Sequence, residues 1–537
     1  MSTVTREQNT STRVWLQLLP ELTEKIVSFL DPNEVPSFRL VSKAAATQFR
    51  GATQTTIRLS RPVPPHAFAA HWLAPGATRG LTLERRRQLL RLTAASGVVA
   101  NLGVALQAAG CLLTADVFEE AAATGQLDSC QWLLERGCPL ADEDIGGLGV
   151  SWLLAAAAGG GHRHVCEWLL GLGAAWKSCG AGEAARSGHV GLAEWLLQRL
   201  PQLDVRDGAE SEKLRLLEGV AHGCDLATLQ RLWRGCGELG AGAKEETLAA
   251  AAGSPTPDWA AKVEWLEAQG CRPFDGVAWR AAACPDAAER LVWLRARGYP
   301  LTPWAIDVAA RDLNVPAVRY LLSCEQQQTV WHFDSALTRA ACGKGQLETL
   351  QALRADGWPM DAASCAFAAA RAGHLHVLAW LAEACGRHGA LLCGRGELLE
   401  AAAESGSVEL LAWLRARGCG WGGEELTSAA EAGCGAAVEW LVAQGCPVED
   451  RGAPYAQACL NGDLAMARLL RRLGVPWGPA GRVVSDAAGR APLPLLRWLL
   501  EEGCPVGDYE AARAAAVERN GGAAEALELL EEWHRRA

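Results

Sequence analysis

Small and apolar residues recur along most of the chain in a pattern of two short helices separated by a glycine. In the stretch DVFEEAAATGQLDSCQWLLERGCPL, Phe118, Ala121 and their apolar neighbours have helical spacing and predict a short helix with a small, apolar face. Gly125 ends that helix, and the apolar residues after it predict a second one. Gly137 and Pro139 then stop the second helix. The pattern predicts a unit of helix, tight turn, helix and loop.

The same unit returns through the rest of the chain. A Trp-Leu pair fills one slot of the second helix in nine places, and a glycine follows five residues later in most copies. Neighbouring slots lie 27 to 36 residues apart. This period predicts an all-α, helical-repeat solenoid of about 14 helix-turn-helix repeats. The tryptophans at this position of the second helix are interpreted as residues that pack between repeats. They are Trp132, Trp168, Trp195, Trp265, Trp293, Trp380, Trp413, Trp440 and Trp498.

Several copies resemble the ankyrin repeat, whose consensus has two alanines, two variable residues, Gly-His, a short apolar helix and Gly-Ala. The matching stretches are AARSGHVGLAEWLLQRL (Ala184–Leu200), AARAGHLHVLAWL (Ala369–Leu381) and AAESGSVELLAWLRARGC (Ala402–Cys419). The resemblance extends from about Leu81 to the C-terminus. It implies degenerate ankyrin repeats that bind a protein, of unknown identity, on a long concave surface.

A different pattern occupies residues 14–50, VWLQLLPELTEKIVSFLDPNEVPSFRLVSKAAATQFR. A helix with one apolar face opens at Pro20 and closes at Asp31-Pro32, and a second helix follows from about Glu34. The segment resembles the F-box, which implies binding to the Skp-type adaptor of Skp–cullin ubiquitin ligases. The resemblance assigns adaptor binding to Leu19, Pro20, Leu22, Ile26, Leu30, Pro32, Val35 and Leu40. The alternative is a helical cap that shields the first repeat.

Four parts are predicted along the chain. They are a disordered N-terminus at residues 1–13, the F-box-like helical segment at 14–50, a linker with prolines and glycines at 51–80, and the ankyrin-like solenoid at 81–537. The linker stretch HAFAAHW has helical spacing and is expected to pack on the repeats.

Composition narrows the class of protein further. The net charge is −10 and no long basic run occurs, which disfavours nucleic acid as a partner. Six of the 19 cysteines follow the corner glycine of a repeat, where equivalent positions lie about 8–10 Å apart, too far for disulfides. They are predicted to be small buried residues in a reducing compartment. The polar start lacks a signal peptide's apolar core, and no membrane span is predicted. A soluble protein of the cytoplasm or nucleus is expected.

No catalytic, cofactor or metal site is predicted. The pairs His162-x-His164 and His374-x-His376 sit where ankyrin repeats carry Gly-His, and their spacing does not place both rings on one helix face. The glycine-rich strings lack the lysine of a phosphate loop. Ankyrin arrays are also found fused to sphingomyelin phosphodiesterases. A relation to such lipid enzymes is a remaining alternative, although the carboxylate cluster that a metal-dependent phosphodiesterase needs is not found.

Five further tryptophans follow the corner glycines, in or beside the variable loops. A large aromatic there is less required by repeat packing and is suited to an interface. These candidate partner-binding residues are Trp176, Trp304, Trp358, Trp421 and Trp477. The sequence thus predicts a non-catalytic protein that links a solenoid-bound protein to a ubiquitin ligase. The alternative is a plain ankyrin scaffold with a capped N-terminus.

Overall fold

The computed structural model describes residues 19–140, 149–172, 180–199, 209–237, 239–324, 336–384, 397–448, 451–479, 481–519 and 521–536. Every regular element within these ranges is a helix, and none of the described residues forms a strand. The predicted all-α helical-repeat solenoid with a small helical segment before it is confirmed. The expected disorder of residues 1–13 concerns positions outside the described ranges.

Short helices form the N-terminal part. They are α1 (Pro20–Val27), α2 (Val35–Phe38), a 3-10 helix at Arg39–Val41, α3 (Lys43–Gln48), α4 (Ala52–Thr55) and α5 (Pro65–Trp72). Pro20 stands in the first turn of α1, where its missing N–H has no partner to lose. Ser42 begins α3 by accepting a hydrogen bond from the Ala45 N–H at 3.1 Å.

Fifteen helix pairs follow within the described residues, each with an even-numbered first helix and an odd-numbered second helix. The pairs are α6 (Leu83–Ala95) with α7 (Val99–Ala109), α8 (Ala115–Ala123) with α9 (Leu127–Glu135), α10 (Gly149–Gly159) with α11 (Arg163–Gly171), α12 (Gly180–Arg186) with α13 (Val190–Arg199), α14 (Ala209–Gly223) with α15 (Leu226–Gly235), α16 (Ala241–Ala252) with α17 (Trp259–Ala268), α18 (Gly276–Ala282) with α19 (Ala287–Ala296), α20 (Trp304–Arg311) with α21 (Val315–Cys324), α22 (Ala336–Gly343) with α23 (Leu347–Ala355), α24 (Ala362–Arg371) with α25 (Leu375–Ala384), α26 (Glu397–Ser405) with α27 (Val408–Ala416), α28 (Glu425–Ala432) with α29 (Gly435–Ala443), α30 (Ala453–Leu460) with α31 (Leu464–Arg472), α32 (Arg482–Arg490) with α33 (Leu493–Glu501), and α34 (Tyr509–Val517) with α35 (Ala523–Arg536).

Glycines end both helices of a pair where the backbone must reverse. Gly125, between α8 and α9, has a φ of 76°, and Gly137, after α9, has a φ of 67°. Residues with a Cβ rarely adopt this left-handed conformation. After Gly137, the Cys138 N–H donates to the Leu133 carbonyl at 3.0 Å and closes the helix C-terminus. The predicted helix, turn, helix and loop are confirmed at this pair.

The nine tryptophans of the second-helix slot pack between repeats, as predicted. Trp195 and Trp498 are buried, and the other seven are half-buried against the two large apolar clusters of the solenoid core. Guanidinium groups cover several of the rings on their outer side. The Arg417 guanidinium carbon, for example, lies 3.8 Å from the ring centroid of Trp413.

Polar side chains of one pair reach back to the end of the preceding pair's first helix. The buried Lys262 ammonium on α17 donates to the carbonyl of Ala221, in the last turn of α14, at 2.8 Å and to that of Cys224, directly after α14, at 2.6 Å. Burial lowers the pKa of Lys262 to about 8. Arg290 on α19 similarly donates to the carbonyls of Ala252 and Ser254 at 2.7 and 2.8 Å. These bonds satisfy carbonyls that a helix leaves open at its C-terminus.

Successive first helices pack against one another more closely than successive second helices do. The array therefore curves towards the first helices, which line its inner face.

The curvature brings the first helix pair against the twelfth and thirteenth pairs. The Ala436 N–H donates to the Arg79 carbonyl at 2.9 Å, and the Ala465 N–H donates to the Gly110 carbonyl at 3.0 Å. A Cβ on Gly110 would lie 2.8 Å from the Ala465 Cβ, so the first and thirteenth pairs meet in close contact. The solenoid therefore closes on itself over the described residues.

One buried ion pair lies at the centre of this closure. Arg86 on α6 and Asp463 before α31, 377 residues apart, join Nη1 to Oδ1 at 3.0 Å, and Nη2 also pairs with Oδ2. The same guanidinium donates to the carbonyls of Ala109 at 2.7 Å and Gly433 at 2.8 Å. Asp463 also accepts from the Met466 N–H at 3.0 Å. Both charges are thus buried with several hydrogen bonds, the condition under which a buried pair stabilises a fold.

Replacing Arg86 by alanine is expected to destabilise the protein strongly, because the Asp463 carboxylate would stay buried without its partner. A loss of about 3–5 kcal/mol in the free energy of unfolding is expected, measured by urea denaturation followed by tryptophan fluorescence. The matched control is Arg79→Ala, which removes an ion pair with Glu439 whose arginine side chain is 59% exposed. That variant should lose about 1 kcal/mol or less. Equal losses in the two variants would contradict a closure centred on Arg86.

Candidate functional site

The N-terminal helices have a small core of their own. Val35, Ala45 and Phe49 are buried together, and Val27, Leu30 and Phe38 pack against them. The rings of Phe38 and Phe49 meet edge to face with centroids 6.0 Å apart. This cluster contains no residue of the helix pairs, so the segment is packed as a separate unit.

A side-chain bond fixes the start of α1 against the end of α3. The Gln48 amide donates from Nε2 to the Pro20 carbonyl at 2.9 Å, and its Oε1 accepts from the Thr23 hydroxyl at 3.2 Å. Thr23 also donates to the Leu19 carbonyl at 3.0 Å. These contacts hold the first turn of α1 in place, while Leu19 and Leu22 remain exposed.

The eight residues predicted to bind an adaptor divide by exposure. Leu19, Pro20, Leu22, Pro32 and Leu40 are exposed, with Leu40 at 87%. Ile26 and Leu30 are half-buried, and Val35 is buried in the small core. Leu30 and Val35 therefore support the fold of the segment, and the exposed residues are the ones a partner could contact.

Sequence reasoning left two further exposed apolar side chains out of this set. Phe29, directly after α1, is 80% exposed, and Val41 in the 3-10 helix is 47% exposed. With Leu19, Leu22 and Leu40 they make five exposed apolar side chains within residues 19–41, which we call the apolar face. Helical spacing does not reveal the exposure of Phe29, because it depends on how the short helices pack together. Exposed apolar side chains grouped in one short segment make it a candidate for contact with another protein.

The linker joins this unit to the solenoid through buried amides. Asn33 is 4% exposed and donates from Nδ2 to the Arg58 carbonyl at 2.8 Å and the Pro62 carbonyl at 3.1 Å. Its Oδ1 accepts from the Arg58 N–H at 2.7 Å. Asn101 on α7 in turn donates to the Val63 carbonyl at 2.8 Å. The linker is thus hydrogen-bonded to the N-terminal unit through Asn33 and to the solenoid through Asn101.

The expected packing of HAFAAHW on the repeats is confirmed. Phe68 is buried in the core of the first repeats, and Trp72 packs against the same cluster.

The loop tryptophans differ in exposure. Trp304 is 68% exposed, whereas Trp358, Trp421 and Trp477 are half-buried against the solenoid core. Trp176 lies outside the described residues.

The histidine pairs make backbone contacts. The His164 and His376 rings lie with Nε2 at 3.0 and 2.9 Å from the carbonyls of Gly125 and Gly345. Burial lowers the pKa of His374, whose Nε2 lies 3.1 Å from the Gly343 carbonyl. Among the described residues no group of three or more histidine, cysteine or acidic side chains is placed to hold a metal ion.

The corner cysteines are buried, and burial raises the pKa of the Cys446 and Cys504 thiols to about 12. Along the described chain, no helix combines the length and apolar character that crossing a membrane requires.

Comparison with known families identifies the N-terminal unit. The family model of the F-box domain matches residues 15–51, so the chain contains an F-box domain there. No curated protein sequence matches the chain. Among solved structures, one match is the pentatricopeptide repeat protein PPR10 from maize, at 12% identity and a TM-score of 0.26, covering 99% of this chain and 87% of that one.

Replacing Asn33 by alanine is expected to loosen the F-box domain from the linker, because the Arg58 N–H and two carbonyls would lose their partner. A local loss of about 1–3 kcal/mol is expected for each buried group left without a bond. Limited proteolysis should then cleave near residues 56–64 several-fold faster, while urea unfolding of the solenoid stays unchanged. Ser28→Ala, which removes an exposed bond to the Lys25 carbonyl, is the control. Equal cleavage rates in the two variants would show that Asn33 does not hold the linker.

Proposed function

We propose that this protein is the substrate-recognition subunit of a Skp–cullin ubiquitin ligase. In this proposal the F-box domain binds a Skp-type adaptor through its apolar face, and the helix pairs, as degenerate ankyrin repeats, bind the protein to be modified. The chain performs no chemistry itself. It raises the effective concentration of the bound protein near the ligase, which is an intracellular role in the cytoplasm or nucleus.

The observation that carries the proposal is the exposure of the apolar face beside a complete small core. Leu19, Leu22, Phe29, Leu40 and Val41 are exposed although Val35, Ala45 and Phe49 close the domain's interior. A helical cap would bury its apolar side chains against the first repeat. Here the linker makes the contact with the solenoid, through Val63 and Phe68. The apolar face is left available for a second protein, which favours the adaptor over the cap.

The ankyrin assignment is supported by the turn that joins the two helices of a pair. Gly373 has a φ of 77°, and the ring of His374 after it has its Nε2 3.1 Å from the Gly343 carbonyl of the preceding pair. Gly373 and His374 are the Gly-His of the stretch that resembles the ankyrin consensus, and here the histidine connects neighbouring pairs. Pairs built in this way present their first helices on one continuous inner face, which suits recognition of a folded or extended protein.

Replacing Leu22 or Leu40 by aspartate is expected to abolish adaptor binding, because each change places a charge in an apolar contact. Isothermal titration of the full chain with a purified Skp-type adaptor should show affinity reduced by about thirtyfold or more, as for a central interface residue. Circular dichroism should stay unchanged because both side chains are exposed.

The matched control is Val517→Asp, which places the same charge at an apolar side chain 61% exposed in the last helix pair. It should bind the adaptor as the unmodified chain does. If the unmodified chain fails to bind, or if Leu22→Asp and Leu40→Asp bind normally, the adaptor role is wrong and a plain scaffold is the better description.

A further inference from the structure

An open cavity of about 660 Å³ lies on the inner face, across the first helices α18, α20 and α22. Its chemically distinctive lining residues are Asp275, Trp279, Trp304, Asp307, Arg311 and Arg339. Small side chains such as Ala310, Ala336 and Ala340 form its floor. The cavity therefore offers two aromatic rings and four charged groups above a shallow apolar base.

Trp304 differs from the other described tryptophans of the variable loops because no cation of the described residues lies over its ring. A guanidinium from this chain covers each of the other three: Arg319 lies 5.8 Å from the Trp358 centroid, Arg415 4.0 Å from Trp421, and Arg471 5.3 Å from Trp477. Trp279, in the same cavity, is covered by Arg280 at 4.6 Å. The ring of Trp304 is 68% exposed instead.

Carboxylates accompany this uncovered ring. Asp307 lies three residues after Trp304 on α20, on the same side of the helix, and Asp275 precedes α18 on the neighbouring pair. Asp275 stands at the helix start without using its side chain as a cap. Neither carboxylate makes a hydrogen bond or ion pair with another described residue. An aromatic face with carboxylates beside it attracts a cation.

Two guanidinium groups complete the lining. Arg311 ends α20 and Arg339 lies on α22, and within the described part of the chain neither forms an ion pair or hydrogen bond. Their charges balance those of Asp275 and Asp307, so the cavity as a whole is neutral. An occupant that carries both signs of charge complements this lining, with its positive group towards Trp304.

We propose that this cavity binds a short peptide segment of the substrate protein, with a lysine or arginine side chain over Trp304 and an acidic side chain towards Arg311 and Arg339. The segment supplies the guanidinium or ammonium group that this chain itself provides at Trp358, Trp421 and Trp477. This assignment rests on the proposed function in one respect only, that the bound protein is the one delivered to the ligase. The binding chemistry is independent of the adaptor.

A positional peptide library tests the assignment. Nonapeptide pools, each with a different fixed central residue, are probed with the purified full chain. Pools with central arginine or lysine should retain about tenfold more protein than the pool with central glutamine. Among peptides with central arginine, a second fixed position should favour aspartate or glutamate over their amides.

Variants separate this site from general attraction between basic peptides and a chain of net charge −10. Trp304→Ala leaves that net charge unchanged and should abolish the preference for arginine and lysine. Trp152→Ala is the matched control, because Trp152 is an exposed aromatic on α10 outside the cavity. It should retain the preference. Asp275→Asn with Asp307→Asn should weaken the basic preference.

The same library tests the predicted contact between an acidic side chain of the peptide and the two arginines. Arg311→Gln combined with Arg339→Gln should remove the acidic preference alone. A basic preference that survives in Trp304→Ala, or the absence of any basic or acidic preference in the unmodified chain, overturns the assignment. Trp304→Ala should still bind the Skp-type adaptor, so a failure here is distinguishable from failure of the adaptor role.

Discussion

Open carbonyls at the ends of the first helices are the constraint on which the rest of the structure depends. A short helix leaves its last carbonyls without partners, and stacking buries them. Lys262 and Arg290 donate to those of the preceding pair, so the bond that completes one helix also fixes its neighbour. At the closure, Arg86 makes the same kind of contact to Gly433, across 347 residues. The same kind of hydrogen bond, from a basic side chain to a carbonyl at a helix end, thus joins neighbouring pairs and also closes the array.

Closure changes how stability is distributed along the array. In an open solenoid each repeat contacts only its neighbours, and the end repeats are the least stable. Here the first pair is covered by the twelfth and thirteenth pairs, and Arg86 shares its hydrogen bonds between both ends. The F-box domain keeps its own core around Val35 and Phe49, and only the linker enters the solenoid's packing. The F-box domain and the solenoid are therefore joined by the linker but packed separately.

The repeated unit could be predicted from sequence because its signals are local. The Trp-Leu slot, the corner glycine and the small first helix all lie within one period, and Gly137 and Trp413 behave as their pattern indicates. Closure could not be predicted, since it depends on a small rotation per repeat summed over eleven pairs. From the local sequence alone, the charged residues Arg86 and Asp463 look like surface residues. The exposure of Phe29 likewise depends on how three short helices pack, which spacing alone does not determine.

Each first helix separates the residues that pack between helices from the residues exposed on the inner face. Two adjacent small residues are buried at the contact between helices, such as Ala309 and Ala310 or Ala369 and Ala370. The residue two positions before each such pair points away from that contact and changes freely from repeat to repeat. Trp279, Asp307, Arg339 and Phe367 occupy this position in four successive pairs. Because these exposed positions lie outside the contact between helices, their side chains can change without altering the curvature that closes the array.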